Sequence, residues 1–228
     1  MNSELIMELV KSKILVVVGH SMGGAVAVNL AKRNKFTFAS VIALDIVEET
    51  ALDSLKVMDA ILDLWPKSFL RVEDCIKWST EKGRPFSKRS ANISIPPLLK
   101  SLDNTDQNEE KIHVWRTNLL SFKSYWTSWF EHFDEDFLGL EMPHLLILSS
   151  EESLDVPLTI ARMKGQYQLE LVRGRPDAMV GHFLHEDDPE DTCARIVQFL
   201  MKHNLIEKKE AEKVFRMIHS SKTCNNYW

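Results

Sequence analysis

The residues best suited to covalent chemistry lie near the N-terminus, in the stretch Gly19-His20-Ser21-Met22-Gly23. A serine with glycine two positions away on each side is typical of the nucleophile elbow, a sharp strand-to-helix turn that exposes the hydroxyl. The β-branched run Lys13 to Val18 predicts a buried strand before the motif, and Ala25 to Lys32 predicts a helix after it. An accidental match of five loosely specified positions is the alternative, and this context weakens it. Ser21 is therefore the candidate nucleophile.

A candidate acid follows the next apolar run. Phe38 to Asp45 predicts the second strand of a βαβ unit, and this run ends on a carboxylate. Because ligands bind beyond the carboxyl ends of parallel strands, we expect Ser21 and Asp45 to face the same crevice. Asp45 could then orient a catalytic histidine through a carboxylate–imidazole hydrogen bond. The alternative is that Asp45 only caps the helix predicted over Glu48 to Leu55.

Two histidines, His182 and His185, are candidates for the catalytic base. They lie in a loop between an alternating edge strand predicted over Tyr167 to Val172 and a helix predicted over Thr192 to His203. A serine, acid, histidine order along the chain places the base in this loop. A neutral imidazole can accept the serine proton and return it to a leaving alcohol. His182 is the first candidate and His185 its rival, and either could instead be a surface histidine.

The elements that must position these residues divide the chain into three parts. Residues 1–47 and 141–205 predict an α/β core in which a mostly parallel sheet has helices on both faces, and a helix over residues 1–12 leads into it. Residues 48–140 show helical spacing and an aromatic stripe, and they predict a helical lid inserted between two strands. We expect most of its aromatic side chains to pack inside the lid. Residues 206–228 predict the end of a mixed-charge helix and a frayed tail.

Composition excludes several classes of function. The chain has 228 residues, 44% hydrophobic and 27% charged, with a formal net charge of -5. A net negative charge argues against nucleic acid as a partner, and no segment has the roughly 20 apolar residues of a membrane span. Three cysteines without metal-ligand spacing, together with a start that lacks a basic signal region, predict a protein of the cytoplasm or nucleus that is not secreted.

Five stretches of the chain together resemble one known family. The elbow is shared by many hydrolases, but Leu-Asp-Ile-Val-Glu after the second strand and Gly-His-x-x-His-Glu-Asp near the end are much narrower signals. On these residues the sequence resembles the protein phosphatase methylesterases, over roughly residues 10 to 205. These are α/β hydrolases that remove the methyl ester from the C-terminal leucine of the type 2A phosphatase catalytic subunit. The five stretches are Val17–Ala25, Leu44–Glu48, Tyr125–Phe130, Leu158–Ile160 and Gly181–Asp187.

The resemblance implies an α/β-hydrolase fold and a catalytic triad without a metal or organic cofactor. It makes Ser21 the nucleophile, Asp45 the acid and His182 the base. Glu152 stands where most other hydrolases of this fold carry the acid, and it is the alternative. The family's first strands, and a His-Gly loop that gives one oxyanion donor, have no counterpart in this chain. The backbone N–H of Met22 is then the expected oxyanion donor, and the elbow strand is expected at an exposed edge.

The activity that the resemblance implies is demethylation of the phosphatase, with the type 2A catalytic subunit as partner. Two alternatives remain open. One is a catalytically impaired, N-terminally truncated fragment that acts by binding. The other is a general carboxylesterase for small esters, which would share the triad and ignore the methylated phosphatase.

Overall fold

A computed structural model describes residues 14–33, 37–102, 111–174 and 178–224, with backbone alone for residues 219–224. The helix predicted over residues 1–12 lies outside these ranges. The strands are β1 (Val16–His20), β2 (Ser40–Leu44), β3 (Ser68–Phe69), β4 (Leu99–Leu102), β5 (Ile112–Trp115), β6 (His144–Leu148) and β7 (Gln168–Leu171). The helices are α1 (Met22–Lys32), α2 (Glu48–Asp63), α3 (Val72–Glu81), α4 (Lys88–Ser94), α5 (Trp126–Phe130), α6 (Phe133–Leu138), α7 (Val156–Met163), α8 (Leu184–Asp187), α9 (Pro189–Lys202) and α10 (Lys208–Cys224).

The main sheet has the strand order β1-β2-β6-β7, and all of its strand pairs are parallel. Every residue of β2 and β6 is buried, as expected for central strands covered on both faces. Val41 and Ala43 of β2 pack in one apolar cluster with α1, α6 and α7, whereas Ile42 and Leu44 pack in a second cluster with Phe199 of α9. The predicted α/β class, with helices on both faces of a parallel sheet, is confirmed.

The two outer strands of this sheet differ in their exposure. β7 is half-buried along its length, which fits the alternating pattern of an edge strand. Within the described ranges β1 pairs with β2 alone, and the side chains of Ile14 and Val18 are 61% and 47% exposed. The elbow strand is therefore an exposed apolar edge of the described sheet, as expected from the sequence.

The insertion between β2 and β6 is not wholly helical, so that part of the prediction is wrong. Beside helices α2 to α6 it contains a small antiparallel sheet of order β3-β5-β4. Each of these strands has four residues or fewer, too short for alternation to stand out against the helical periodicity around it. The pair Pro96-Pro97 ends the preceding helical segment and directs the chain into β4.

The C-terminal segment is also more ordered than predicted. Residues 208–224 form a separate helix, α10, which packs against α9. Asn204 adopts a left-handed conformation with φ 56°, and this ends α9 before the new helix starts. Ala211 and Ile218 lie on one face of α10 and are buried, so an apolar stripe holds the helix onto the domain.

Candidate active site

Ser21 lies on the tight turn that joins β1 to α1. Its backbone has φ 51° and ψ -123°, a strained conformation for a residue with a side chain. The Ser21 N–H donates to the carbonyl of Leu44 at 2.8 Å, which fixes the turn to β2. A Cβ atom added to Gly19 would lie 2.0 Å from the carbonyl oxygen of Gly23, so the turn closes only over a glycine. This is the geometry of a nucleophile elbow.

Asp45 follows β2 and points its carboxylate toward the same end of the sheet. It also has a positive φ, 47°, and its N–H donates to the carbonyl of Ile147 at 2.8 Å. Its Oδ1 accepts hydrogen bonds from the backbone N–H and the hydroxyl of Ser149, at 2.8 and 2.9 Å. The N-cap of α2 is Val47, so the alternative that Asp45 caps this helix is wrong. Oδ2 remains available for another donor.

That donor is His182. Its Nδ1 lies 2.9 Å from Asp45 Oδ2, so Nδ1 carries the proton and Nε2 presents a lone pair. The carboxylate is 14% exposed and the imidazole 48% exposed, which leaves the histidine within reach of a ligand. No hydrogen bond joins Ser21 to His182 among the described residues. Catalytic hydrogen bonds are often long or poorly aligned before substrate binds, and they tighten in the complex.

His182 belongs to a cluster of three imidazoles. The Nε2–H of His20 donates to the backbone carbonyl of His182 at 2.7 Å, and the two ring centroids are 4.6 Å apart. Burial, with a further contribution from the neighbouring His182, lowers the pKa of His20 to about 4. His20 is therefore neutral near pH 7. Sequence reasoning did not assign it a role, although its place beside Ser21 puts it at the site.

Among the described residues, neither rival candidate forms a hydrogen bond with Asp45 or His182. His185 packs against His20 at a centroid distance of 4.5 Å, and burial lowers its pKa. Its Nδ1 is buried and has no partner among the described residues, and Asp45 bonds to His182 instead. Glu152 lies on an exposed turn after β6, where its backbone N–H donates to the hydroxyl of Ser150.

The backbone around Ser21 also provides a donor for a developing negative charge. Met22 is the first residue of α1, so its N–H has no acceptor within the helix. The positive end of the helix dipole favours an anion at this position. Met22 is thus placed as the expected oxyanion donor would be. Within the described ranges no group of histidine, cysteine and acidic residues could hold a metal ion.

A cavity of about 620 Å³ lies elsewhere, between α2, α6 and the start of α7. None of the three candidate catalytic side chains lines it. Its wall contains Asp134 and Asp155, which are both buried and share a hydrogen bond. Burial, followed by the proximity of Asp155, raises the pKa of Asp134 to about 8. This acidic cavity is separate from the elbow.

Comparison with known proteins agrees with this architecture. A model of the alpha/beta hydrolase family matches residues 3–196. The chain is 34% identical over 197 residues to protein phosphatase methylesterase 1 of Cryptococcus neoformans, covering 83% of this chain and 46% of the relative. It is 36% identical over 196 residues to the enzyme of that name from Yarrowia lipolytica, covering 85% and 44%. The chain spans about half the length of these curated relatives.

Solved structures show the same fold at low sequence identity. E-2-(acetamidomethylene)succinate hydrolase superposes with a TM-score of 0.66 at 18% identity, over 86% of this chain and 69% of its own. An esterase from Mycobacterium tuberculosis gives a TM-score of 0.58 at 18% identity, over 88% and 64%. No helix in the described ranges is both long and apolar enough to cross a membrane.

Proposed function

Because the chain belongs to the alpha/beta hydrolase family, we propose that it is a serine carboxylesterase whose reaction is carried by Ser21, His182 and Asp45. The observation that carries this proposal is the 2.9 Å hydrogen bond from His182 Nδ1 to Asp45 Oδ2, at the end of the sheet that holds the strained Ser21 turn. In this arrangement Ser21 is the nucleophile, His182 the base and Asp45 the acid that orients the base.

In the proposed mechanism, Ser21 Oγ attacks the ester carbonyl while His182 Nε2 accepts the hydroxyl proton. Asp45 holds the imidazole in the tautomer that leaves Nε2 unprotonated, and it stabilises the imidazolium that forms. The Met22 N–H donates to the oxyanion of the tetrahedral intermediate. His182 then protonates the leaving alcohol, and water hydrolyses the acyl-enzyme by the reverse proton transfers.

The proposed substrate is the methyl ester on the C-terminal leucine of the type 2A protein phosphatase catalytic subunit, with methanol as the leaving alcohol. Support comes from the relatives at 34–36% identity, which are named protein phosphatase methylesterase 1. The phosphatase subunit is then both substrate and protein partner. We place the protein in the cytoplasm or nucleus, where this partner would meet it.

The test compares three esters on the purified 228-residue chain, with Ser21→Ala as control. These are the methylated phosphatase catalytic subunit, a short peptide ending in leucine methyl ester, and p-nitrophenyl acetate. Loss of one methyl group from the phosphatase, at a kcat/KM well above that for the peptide, supports the proposal.

Two other outcomes assign the remaining functions. Rapid hydrolysis of p-nitrophenyl acetate without demethylation of the phosphatase would identify a general carboxylesterase. Binding of the methylated phosphatase without hydrolysis of any ester would identify a protein that acts by binding. Both outcomes contradict the proposed function.

A further inference from the structure

The loop that carries His182 is attached to the insertion by a carboxylate outside the proposed triad. Asp187, the last residue of α8, accepts hydrogen bonds from three backbone N–H groups. Its Oδ1 accepts from Phe86 at 2.7 Å and from Ser87 at 3.1 Å, and its Oδ2 accepts from Gly181 at 3.0 Å. Gly181 immediately precedes His182, so one side chain joins the base loop to the start of α4.

Packing reinforces this connection. The ring of Phe86 lies directly against Gly181, where an added Cβ would come within 2.8 Å of Phe86 Cε2. Glu186, the residue before Asp187, accepts a hydrogen bond from Ser94 Oγ at 2.7 Å through its carboxylate, and one from Ser90 Oγ at 2.6 Å through its backbone carbonyl. The segment 86–94 of the insertion therefore lies against the loop that carries the base.

The hydrogen bonds of Asp187 differ from those of Glu186 in what they fix. A carboxylate that accepts from backbone N–H groups makes charge-assisted bonds, which are stronger than bonds between neutral partners. Asp187 fixes the backbone one residue before His182, whereas the side chain of Glu186 bonds to a hydroxyl on α4. Because the His182–Asp45 bond spans 137 residues of sequence, its geometry depends on where this loop is held.

We propose that Asp187 is a positioning residue for His182, which fixes the base loop against segment 86–94 of the insertion and so keeps the imidazole on Asp45. The inference rests on the proposed function, since it concerns the base of that reaction. It makes the insertion part of the catalytic geometry, since displacing segment 86–94 would displace His182.

The test compares Asp187→Asn with Glu186→Gln in the full chain. Both variants remove one negative charge from neighbouring residues of α8. The amide oxygen of Gln can still accept from Ser94, whereas the amide nitrogen of Asn cannot accept from the N–H groups facing it. Asp45, His20 and His185 also face or approach His182, so the charge-matched control is required.

Two measurements are made on each variant. The first is the rate at which a fluorophosphonate labels Ser21, which we expect Asp187→Asn to lower on the order of 10- to 100-fold, as a small misplacement of a catalytic group does. The second is the NMR resonance of the His182 Nδ1 proton, which needs no activity and reports the hydrogen bond to Asp45 directly. We expect this resonance to be lost to exchange with water in Asp187→Asn and retained in Glu186→Gln, because the displaced imidazole loses that hydrogen bond.

The same result for this resonance in the two variants, lost in both or retained in both, would overturn the inference. If the wild-type chain is not labelled at all, the proposed function fails while the NMR measurement still decides this inference. If Asp187→Asn does not fold, Asp187→Glu serves, since it keeps the charge and moves the carboxylate by one methylene. The same loss of the His182 Nδ1 proton resonance is expected there, and its retention overturns the proposal.

Discussion

Asp45 and His182 are fixed by hydrogen bonds from several parts of the chain. Ser21 and Met22 instead follow a strand that is paired along one edge in the described sheet. Ser149 bonds to Asp45, and His20 bonds to the backbone carbonyl of His182. Ser21 instead follows β1, which within the described ranges pairs with β2 alone. Val18 and Met22 are 47% and 44% exposed on this side.

The difference separates two requirements of ester hydrolysis. Proton transfer depends on the acid–base pair, and its geometry is already assembled in this structure. Nucleophilic attack and oxyanion binding depend on the elbow, where the Met22 N–H is the donor offered by the described residues. Removal of one oxyanion donor from a two-donor site costs on the order of 100- to 1000-fold in rate. Changes that displace the Met22 N–H are therefore expected to lower the rate by a factor of that order.

The largest effect is expected from Asp45→Asn, which disrupts the acid–base pair of Asp45 and His182. The amide cannot hold His182 in the tautomer that leaves Nε2 unprotonated, so kcat should fall by roughly 10⁴-fold. Fold and substrate affinity should be retained because the Asn oxygen can still accept from Ser149. Steady-state kinetics and circular dichroism of the purified variant check this. Activity within tenfold of wild type would remove Asp45 from the triad.

A pair of glycine substitutions tests the elbow itself. Gly19→Ala places a Cβ 2.0 Å from the Gly23 carbonyl oxygen, and a backbone clash cannot be relieved by a rotamer change. We expect this variant to lose labelling of Ser21 or to fail to fold. For Gly23→Ala, no described atom lies within 4 Å of the added Cβ. Because Ala is preferred to Gly in a helix, the free energy of unfolding should rise by about 0.5–1 kcal/mol.

Urea denaturation and fluorophosphonate labelling are measured on both variants. The elbow geometry would be contradicted by a Gly19→Ala protein that folds and is labelled at the wild-type rate. Destabilisation by Gly23→Ala would show that this face of α1 is covered.

His20 connects the elbow to the acid–base pair, because it lies on β1 and its side chain donates a hydrogen bond to the His182 carbonyl. His20→Leu should lower the labelling rate on the order of tenfold by releasing the base loop, while His20→Gln keeps a donor and should restore most of the rate. Since the pKa of His20 is about 4, the residue is neutral at higher pH. The ratio of wild-type to His20→Leu rates should therefore be constant between about pH 6 and 9. A ratio that varies across this range would assign His20 a role in proton transfer.

The smallest effect on activity is expected from Asp134→Asn. Asp134 lines the acidic cavity, outside both the acid–base pair and the elbow. The ordinary pKa of this group is 3.8, and it is raised to about 8 in the folded protein. Between these values the folded state binds a proton that the unfolded state has lost, so the stability contributed by this group falls as pH rises through the window. We expect the wild-type melting temperature to decrease more than that of Asp134→Asn between about pH 5 and 8. The labelling rate should not change, and equal pH dependence would place the Asp134 pKa near its ordinary value.

The sequence allows the parallel core and the acid–base pair to be predicted because both depend on strong local patterns. Buried strands such as β2 are continuous apolar runs, and the acid follows one of them directly. The antiparallel sheet of the insertion could not be predicted, since strands as short as Ser68–Phe69 form only through pairing with distant residues. Helix α10 was predicted only as a helix end and a frayed tail, because charged residues occupy so much of its first half that its apolar face does not stand out.

Contacts between residues far apart in the sequence could not be predicted either. The contact of Asp187 with Phe86 spans 101 residues, and that of His20 with His182 spans 162. Neither has a spacing signal in the sequence, because each depends on how segments far apart in the chain pack together in the fold. The motif Gly-His-x-x-His-Glu-Asp indicated which segment mattered, but not which side chains in it bond to the insertion.

The most direct test of the triad is the intact mass of the soluble 228-residue chain after reaction with a fluorophosphonate, measured beside Ser21→Ala and His182→Ala. One adduct on the wild-type chain and none on either variant in the same time is the predicted result. This pattern would show that Ser21 is activated by His182 in this chain. An adduct that persists in Ser21→Ala, or no adduct on folded wild-type protein, would contradict the assignment of Ser21 as the nucleophile of a working triad.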